Sequence, residues 1–220
     1  MSFKTKKLTT LAMLTAMAFV VGALIRIRGF IPGAPFLTYD PKDVVIVIGG
    51  LIFGPLSAAG MSILLPLIEM ITVSDSGFFG FLMNALASLF FTVPPALIYL
   101  KTRSLKGAVL GLIVGALLAT SVMMLLNLII TPLYTGWPRE RVMQIMFPAI
   151  MPFNLLKTFM NASLAMLIYK PVSAALMKTG LIPKRTTSQQ STGKFITWNL
   201  SVMIGSAVVL GIIILIIYLL

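Results

Sequence analysis

Residues 44–72 read VVIVIGGLIFGPLSAAGMSILLPLIEMIT, and how this run crosses a membrane decides the architecture of the chain. As one α-helix its 29 residues would be about 43 Å long, against a hydrocarbon core of about 30 Å. It is either one strongly tilted helix or two short ones. The tetrapeptide FGPL at 53–56 offers a turn, because glycine and proline both interrupt helices. The surrounding charges choose between the two readings. Lys4, Lys6 and Lys7 precede the first apolar run at 8–25, and Lys101, Arg103 and Lys106 fill a short loop. Short basic segments stay on the cytoplasmic side, so an even number of crossings must separate these two. One helix over 44–72 gives three crossings and two helices give four. The run is therefore predicted to be a helical hairpin.

Further apolar runs cover 78–100, 107–130, 145–169 and 195–220. Six crossings place Lys170, Lys178, Lys184, Arg185 and Lys194 on the same side as Lys4, with no acid among them. The opposite side receives Arg26, Arg28, Lys42, Arg139 and Arg141 against Asp40, Asp43, Asp75 and Glu140. The expected fold class is an all-α polytopic membrane protein: a six-helix core with an extra C-terminal hydrophobic helix. Residues 1–178 form the membrane domain, 179–194 a basic cytoplasmic linker, and 195–220 an additional transmembrane helix. An interfacial or partner-docking role for that last run stays open. The basic start resembles a signal peptide, but no small-residue cleavage pattern follows before Arg26, so it is expected to be a retained first span.

Composition agrees. Of 220 residues, 59% are hydrophobic, and the mean hydropathy is +1.05. Such a chain is a membrane protein, in a multi-pass arrangement within a bilayer. Cysteine and histidine are absent and only five acids are present, which leaves no basis for a thiolate or histidine metal site or for hydrolytic chemistry. No metal and no cofactor is expected. The net charge of +12 is explained by placement beside the membrane rather than by nucleic acid.

Four features stand out against this apolar background. In PFNLLKTFMNASLAMLIYK (152–170), Asn154, Lys157 and Asn161 are spaced three and four apart, on one helical face. A charge at membrane depth costs roughly 2.5–3.5 kcal/mol on insertion scales, so a buried lysine marks a functional site by default. The bland alternative is asparagines bridging helices and a lysine snorkelling to the interface. On the functional reading, replacing Lys157 by methionine should preserve the fold, since it removes a charge that is costly to bury. The outer loop RIRGFIPGAPFLTYDPKD (26–43) is stiffened by proline and too apolar, through Phe30, Phe36, Leu37 and Tyr39, to stand idle in water. It is either a lid over a pocket or an aromatic belt at the interface. In NLIITPLYTGWPRER (127–141), Asn127 is a polar group within a span. Glu69 is the sole acid inside a span, either a counter-ion for Lys157 or Arg26 or a group at the outer interface. Finally, Thr9, Ala12, Ala16 and Ala23 form a small-residue face on the first span, the kind that lets another helix approach closely, from within the chain or from a partner.

Three stretches together carry a resemblance: PFLTYDPKDVVIVIGGLIFGPLSAAG, NLIITPLY, and PFNLLK with its Tyr-Lys-Pro end. Over about residues 8–178 the chain resembles the riboflavin-specific substrate-binding (S) components of energy-coupling factor (ECF) vitamin transporters. The resemblance implies high-affinity capture of riboflavin outside the cell. It also implies association with a transmembrane coupling (T) subunit and two ATP-binding subunits, and a toppling motion that delivers the vitamin inward. It places Asn127, Asn154 and Lys157, with Leu37, Thr38, Tyr39 and Asp40 of the lid, at the flavin, and the coupling subunit against Ala12 and Ala16. It implies a bacterial cell membrane, with the N-terminus cytoplasmic, and no enzymatic activity. Riboflavin enters as transported substrate, not cofactor. The residues suit a flavin, whose faces are apolar and whose edge carries carbonyls and an N–H that an asparagine amide can match.

Other readings compete. An S component for another vitamin, such as thiamine or pantothenate, would show the same architecture. A stand-alone secondary transporter or small channel would be expected to show an inverted repeat or a chain of membrane acids, and neither is evident. A membrane enzyme would need a nucleophile–base pair or paired carboxylates within a span, and a purely structural protein would have no use for Lys157.

Overall fold

The structure, a computed structural model, describes residues 3–182 apart from positions 30, 32 and 75. The expected linker beyond 182, the last apolar run, Phe30 and Asp75 lie outside these described residues. In chain order the elements are α1 (Phe3–Leu24), the two-residue strands β1 (Ile27–Arg28) and β2 (Thr38–Tyr39), α2 (Lys42–Phe53), α3 (Pro55–Thr72), α4 (Gly77–Thr102), α5 (Leu105–Thr135), α6 (Arg139–Ile145) and α7 (Met151–Lys178). A π-helical stretch, Met146–Ile150, joins α6 to α7.

The run at 44–72 is a hairpin of two helices, as the charge parity requires. Gly54 breaks it at φ 95° and ψ 173°, a backbone region open essentially to glycine alone, and Pro55 starts the next helix where a missing N–H costs nothing. The two arms are unequal, 12 and 18 residues. At 1.5 Å per residue α2 reaches only about 18 Å, too short to cross alone. It does not meet lipid: Lys42 through Leu51 are all buried. A helix that is apolar all round belongs inside a protein. Val44, Val47, Ile48 and Leu51 pack against Phe91 of α4, against Ala108, Leu112 and Ala116 of α5, and against Ala165 of α7. Val45 and Ile46 pack on the other side against Leu14 and Ala18 of α1 and Met61 and Leu65 of α3.

The ends sort as predicted. Lys6 Nζ donates to Gly180 O at 3.2 Å and Lys7 Nζ donates to Phe53 O at 3.4 Å. Gly54 and Arg103 line one small cleft. The start of α1, the α2–α3 turn, the α4–α5 turn and the end of α7 therefore share one end of the molecule. Strands β1 and β2 share the other with Val73, Ser74, Ser76 and the end of α5, so four helices separate the N-terminus from the 103–104 turn.

Helices α4 and α5 approach closely because α5 presents Ala108, Gly111, Gly115 and Ala119 on one face. A Cβ on Gly111 would lie 2.4 Å from Pro95 Cα, and one on Gly115 would lie 2.4 Å from Phe91 O. Association of helices inside a bilayer rests on such close packing, since lipid tails are as apolar as the side chains they replace.

Candidate ligand-binding site

The loop after α1 folds back over its end of the bundle. Strands β1 and β2 pair antiparallel, with Ile27 opposite Tyr39 and Arg28 opposite Thr38. Ala34, Leu37 and Tyr39 are buried against Val142, Met146, Ala149, Ile150 and Phe153 of the α6–α7 arm. The Phe36 ring meets Trp137 and Tyr134 edge-on, at 5.8 and 6.3 Å between centroids. These apolar residues are explained by a lid, not by an interfacial belt. The receiving arm is shaped by Pro148 and Pro152, whose missing N–H groups interrupt the α-helical ladder. There the Met151 N–H reaches back five residues to Met146 O, the signature of a π-bulge, a distortion frequent at functional sites.

Beneath the lid lies a cavity of about 480 Å³, within the roughly 300–1,000 Å³ of small-molecule sites. Its wall is built from the lid, Ser74 and Ser76, Asp43 at the start of α2, and the facing sides of α4, α5 and α7. Of the residues singled out by sequence, Leu37, Thr38, Asp40, Asn127, Asn154 and Lys157 line it. Tyr39 does not: its side chain turns into the lid's own core, where its hydroxyl donates to Asn161 Oδ1 at 3.1 Å. Burial, and then the charges of Asp40 and Asp43, push the Tyr39 phenol well above its usual range, so it stays a neutral donor. Ala12 and Ala16 lie far down α1, exposed on the outside of the bundle.

The asparagines are held by their own helices. Asn127 Nδ2 donates to Met123 O at 2.7 Å while its Oδ1 accepts from Thr131 Oγ1 at 2.9 Å. Asn154 Nδ2 donates to Ile150 O of the π-helical stretch at 2.8 Å. Asn161 accepts from Tyr39 and donates from Nδ2 to Asp40 O at 3.4 Å, fastening the end of the lid to α7.

Lys157 answers the energetic puzzle differently from the sequence reading. Its side chain lines the cavity, and its Nζ also donates to Asp40 Oδ2 at 3.0 Å and to Thr38 O at 3.4 Å. The expectation that Lys157→Met would preserve the fold is therefore corrected: removal would strand a buried carboxylate, the costlier half of a broken pair. Burial pushes the Asp40 carboxyl up, but the Lys157 and Lys42 ammonium groups outweigh this and hold it below the usual carboxylate range. Lys42 and Asp43, read from sequence as charges of the outer loop, are also fully buried. Lys42 Nζ donates to Glu69 Oε2 at 2.5 Å and stands 3.9 Å from Asp40 Oδ1. Glu69 is thus the counter-ion of Lys42, not of Lys157 or Arg26. Ser88 Oγ donates to Asp43 Oδ1 at 2.5 Å.

Sequence reasoning missed Asn84 and Ser88. Asn84 lines the cavity, and both stand one turn apart on α4. The signal was the one that found Asn127, a polar residue inside an apolar run. Arg26, whose NH1 donates to Val73 O at 3.1 Å, also lines the cavity at the lid end. Nothing in its spacing distinguishes it from an interfacial arginine.

The comparisons with known proteins agree with this geometry. The family model "ECF transporter, substrate-specific component" matches residues 6–169. A protein named riboflavin transporter FmnP from Bacillus subtilis (strain 168) is 31% identical over 164 residues, spanning 70% of this chain and 85% of its own. A riboflavin transporter RibU from Streptococcus thermophilus is 30% identical over 184 residues, spanning 79% of this chain and 86% of its own. A solved structure described as the S component of a bacterial ECF transporter superposes with a TM-score of 0.68 at 29% identity, over 79% of this chain and 98% of that one. Five of the described helices are long and apolar enough to cross a membrane, as in a multi-pass membrane protein, and this chain belongs to the substrate-specific components of ECF transporters.

Proposed function

We propose that this protein captures riboflavin in the cavity beneath its lid and hands it to an ATP-driven ECF module. The observation that carries the reading is the cavity itself. Polar groups from three elements, Asn127, Asn154 and Lys157 with Asp40, converge on one side, and Phe36, Met123, Phe153 and Phe91 supply apolar and aromatic wall. A flat ring with polar edges needs that combination. The relatives named riboflavin transporters support the choice of vitamin over thiamine or pantothenate.

The remaining parts follow from the same reading. Leu37, Thr38 and Asp40 close over the ligand, and Tyr39 holds their strand to α7. A transmembrane coupling subunit and two ATP-binding subunits complete the importer, the coupling subunit docking on the exposed Ala12–Ala16 face of α1. The membrane is the bacterial cell membrane, with the N-terminus, the 103–104 turn and the end of α7 cytoplasmic and the lid outside. The chain performs no chemistry of its own and uses no cofactor; riboflavin is cargo.

The test is a fluorescence titration of the purified chain in detergent. Riboflavin should be quenched with one-to-one stoichiometry. Binding of thiamine or pantothenate in its place would overturn the ligand assignment. Orientation is read by labelling Ser104→Cys, since the native chain has no cysteine. Protection from an impermeant reagent in intact cells is expected, and labelling would reverse the topology.

A further inference from the structure

Three asparagines line the cavity, and the protein holds them differently. Asn127 gives Nδ2 to Met123 O and Oδ1 to Thr131, and Asn154 gives Nδ2 to Ile150 O. Asn84, on α4, makes no side-chain hydrogen bond to any described residue. It is half-buried and stands about two turns inside an apolar helix of 26 residues. An amide at such a place is costly unless it is paired, and inside a membrane it usually closes on a neighbouring helix or on its own backbone. Asn84 does neither, and the space it lines is the cavity. Gly80, one turn earlier on the same face, lines the cavity too, as do Ser74 and Ser76. A Cβ on Gly80 would collide with Ser76 Oγ and lie 3.2 Å from Ser74 Oγ. Glycine there lets the two serine hydroxyls, 3.4 Å apart, sit over the turn that precedes Asn84.

We infer that Asn84 is a specificity-determining residue whose carboxamide hydrogen-bonds the hydroxyl chain of the ligand, with Ser74 and Ser76 extending the same wall toward the lid. The inference rests on the reading of the ligand as riboflavin. In that molecule the ribityl chain leaves the central ring, while the imide lies at the end of the ring system. One wall cannot serve both. Asn127, Asn154 and Lys157, on α5 and α7, suit the ring edge, and Asn84 is on a different helix. A hydroxyl donates and accepts, and so does a carboxamide, so the two match in either sense. Two neighbouring hydroxyls can occupy the Asn84 oxygen and nitrogen together. A flavin without the chain leaves the amide as unpaired as it is in the empty protein, the circumstance in which polar sites discriminate.

The experiment titrates riboflavin and lumiflavin, in which a methyl group replaces the ribityl chain, into the purified wild-type chain and into Asn84→Leu. Leucine keeps a similar volume and removes the amide. Riboflavin affinity should fall by about tenfold in the variant, the worth of one or two neutral hydrogen bonds, while lumiflavin affinity should not change. Thermal unfolding without ligand supplies a readout of opposite sign. If the amide is kept for a ligand, Asn84→Leu should unfold at the same temperature as wild type or higher. A lower unfolding temperature, or failure to fold, would assign Asn84 to helix packing and overturn the inference. Loss of both flavins by one common factor would show that Asn84 shapes the cavity or meets the ring, and unchanged affinity for riboflavin would show that it meets nothing; either result overturns the inference. Failure of wild type to bind riboflavin would instead refute the functional reading beneath it.

Discussion

The two ends of the buried helix α2 are made of different material. Its first turn, Lys42 and Asp43, joins Asp40, Glu69, Lys157 and Arg26 in a cluster of three cations and three acids against the cavity. Its last turns, through Gly50 and Leu51, meet Ala58 of α3, Ala96 of α4 and the alanines of α5. Charge inside a membrane protein is expensive and close packing of small residues is cheap. The lid end bears a cost that its stability does not require. The opposite end shows how little is needed for folding alone. The difference locates the ligand site in the half where polar groups are concentrated, and it makes the two halves separable by mutation.

The largest expected effect separates binding from delivery. Ala12→Trp places a bulky ring on the exposed face of α1, away from the cavity. Riboflavin uptake by cells should be abolished while the affinity of the purified chain is unchanged. Loss of binding as well would mean that this face packs within the chain.

A break in the charged half should be nearly as severe. Lys157→Met leaves Asp40 buried without its hydrogen-bonded cation and with Lys42 3.9 Å away, at a cost of about 3–5 kcal/mol. The sign with pH is diagnostic. In wild type the Asp40 carboxyl is held below its usual range, so its contribution is present above that range and is lost only as pH falls through the lowered value. In Lys157→Met the carboxyl rises, the folded state takes up the proton more readily, and stability should increase on going from pH 8 to pH 5. Thermal unfolding in detergent at the two pH values measures this.

A break in the packing half is expected to be smaller and blind to pH. Gly111→Val drives a side chain into Pro95 Cα and should cost about 1–3 kcal/mol. The fraction that remains folded should bind riboflavin as wild type does. Weakened affinity in that fraction would show that the halves are not separable. The smallest effect is a null one: with Asp40 held ionised by its partners, its own titration should add no pH dependence to wild-type affinity between pH 5 and pH 8.

How much of this was legible in the sequence follows the same division. The packing half was readable because its signals are local. FGPL marks the hairpin turn, and lysines at 4, 6, 7 and 101 fix its parity. Asn127, Asn154 and Lys157 were visible because a polar residue in an apolar run stands out. What could not be read was pairing across long separations: Lys157 with Asp40, Lys42 with Glu69, Asp43 with Ser88. Lys42 and Asp43 sit at the boundary of a polar loop, where charge is ordinary, and only the fold brings α2's first turn inside. Tyr39 lay in the right segment but on the wrong side of a strand, since successive side chains alternate.

The central claim is that Asp40 and Lys157 hold a ligand rather than only each other, and the charge-balanced pair Asp40→Asn with Lys157→Met tests it most directly. The double variant leaves no stranded charge from the broken pair, so it should fold with stability close to that of wild type. A riboflavin titration should then show affinity weakened at least tenfold to a hundredfold, the loss of one or more charge-assisted hydrogen bonds of about 1.5–3 kcal/mol each. Wild-type affinity in a well-folded double variant would return the pair to a structural role and contradict the account.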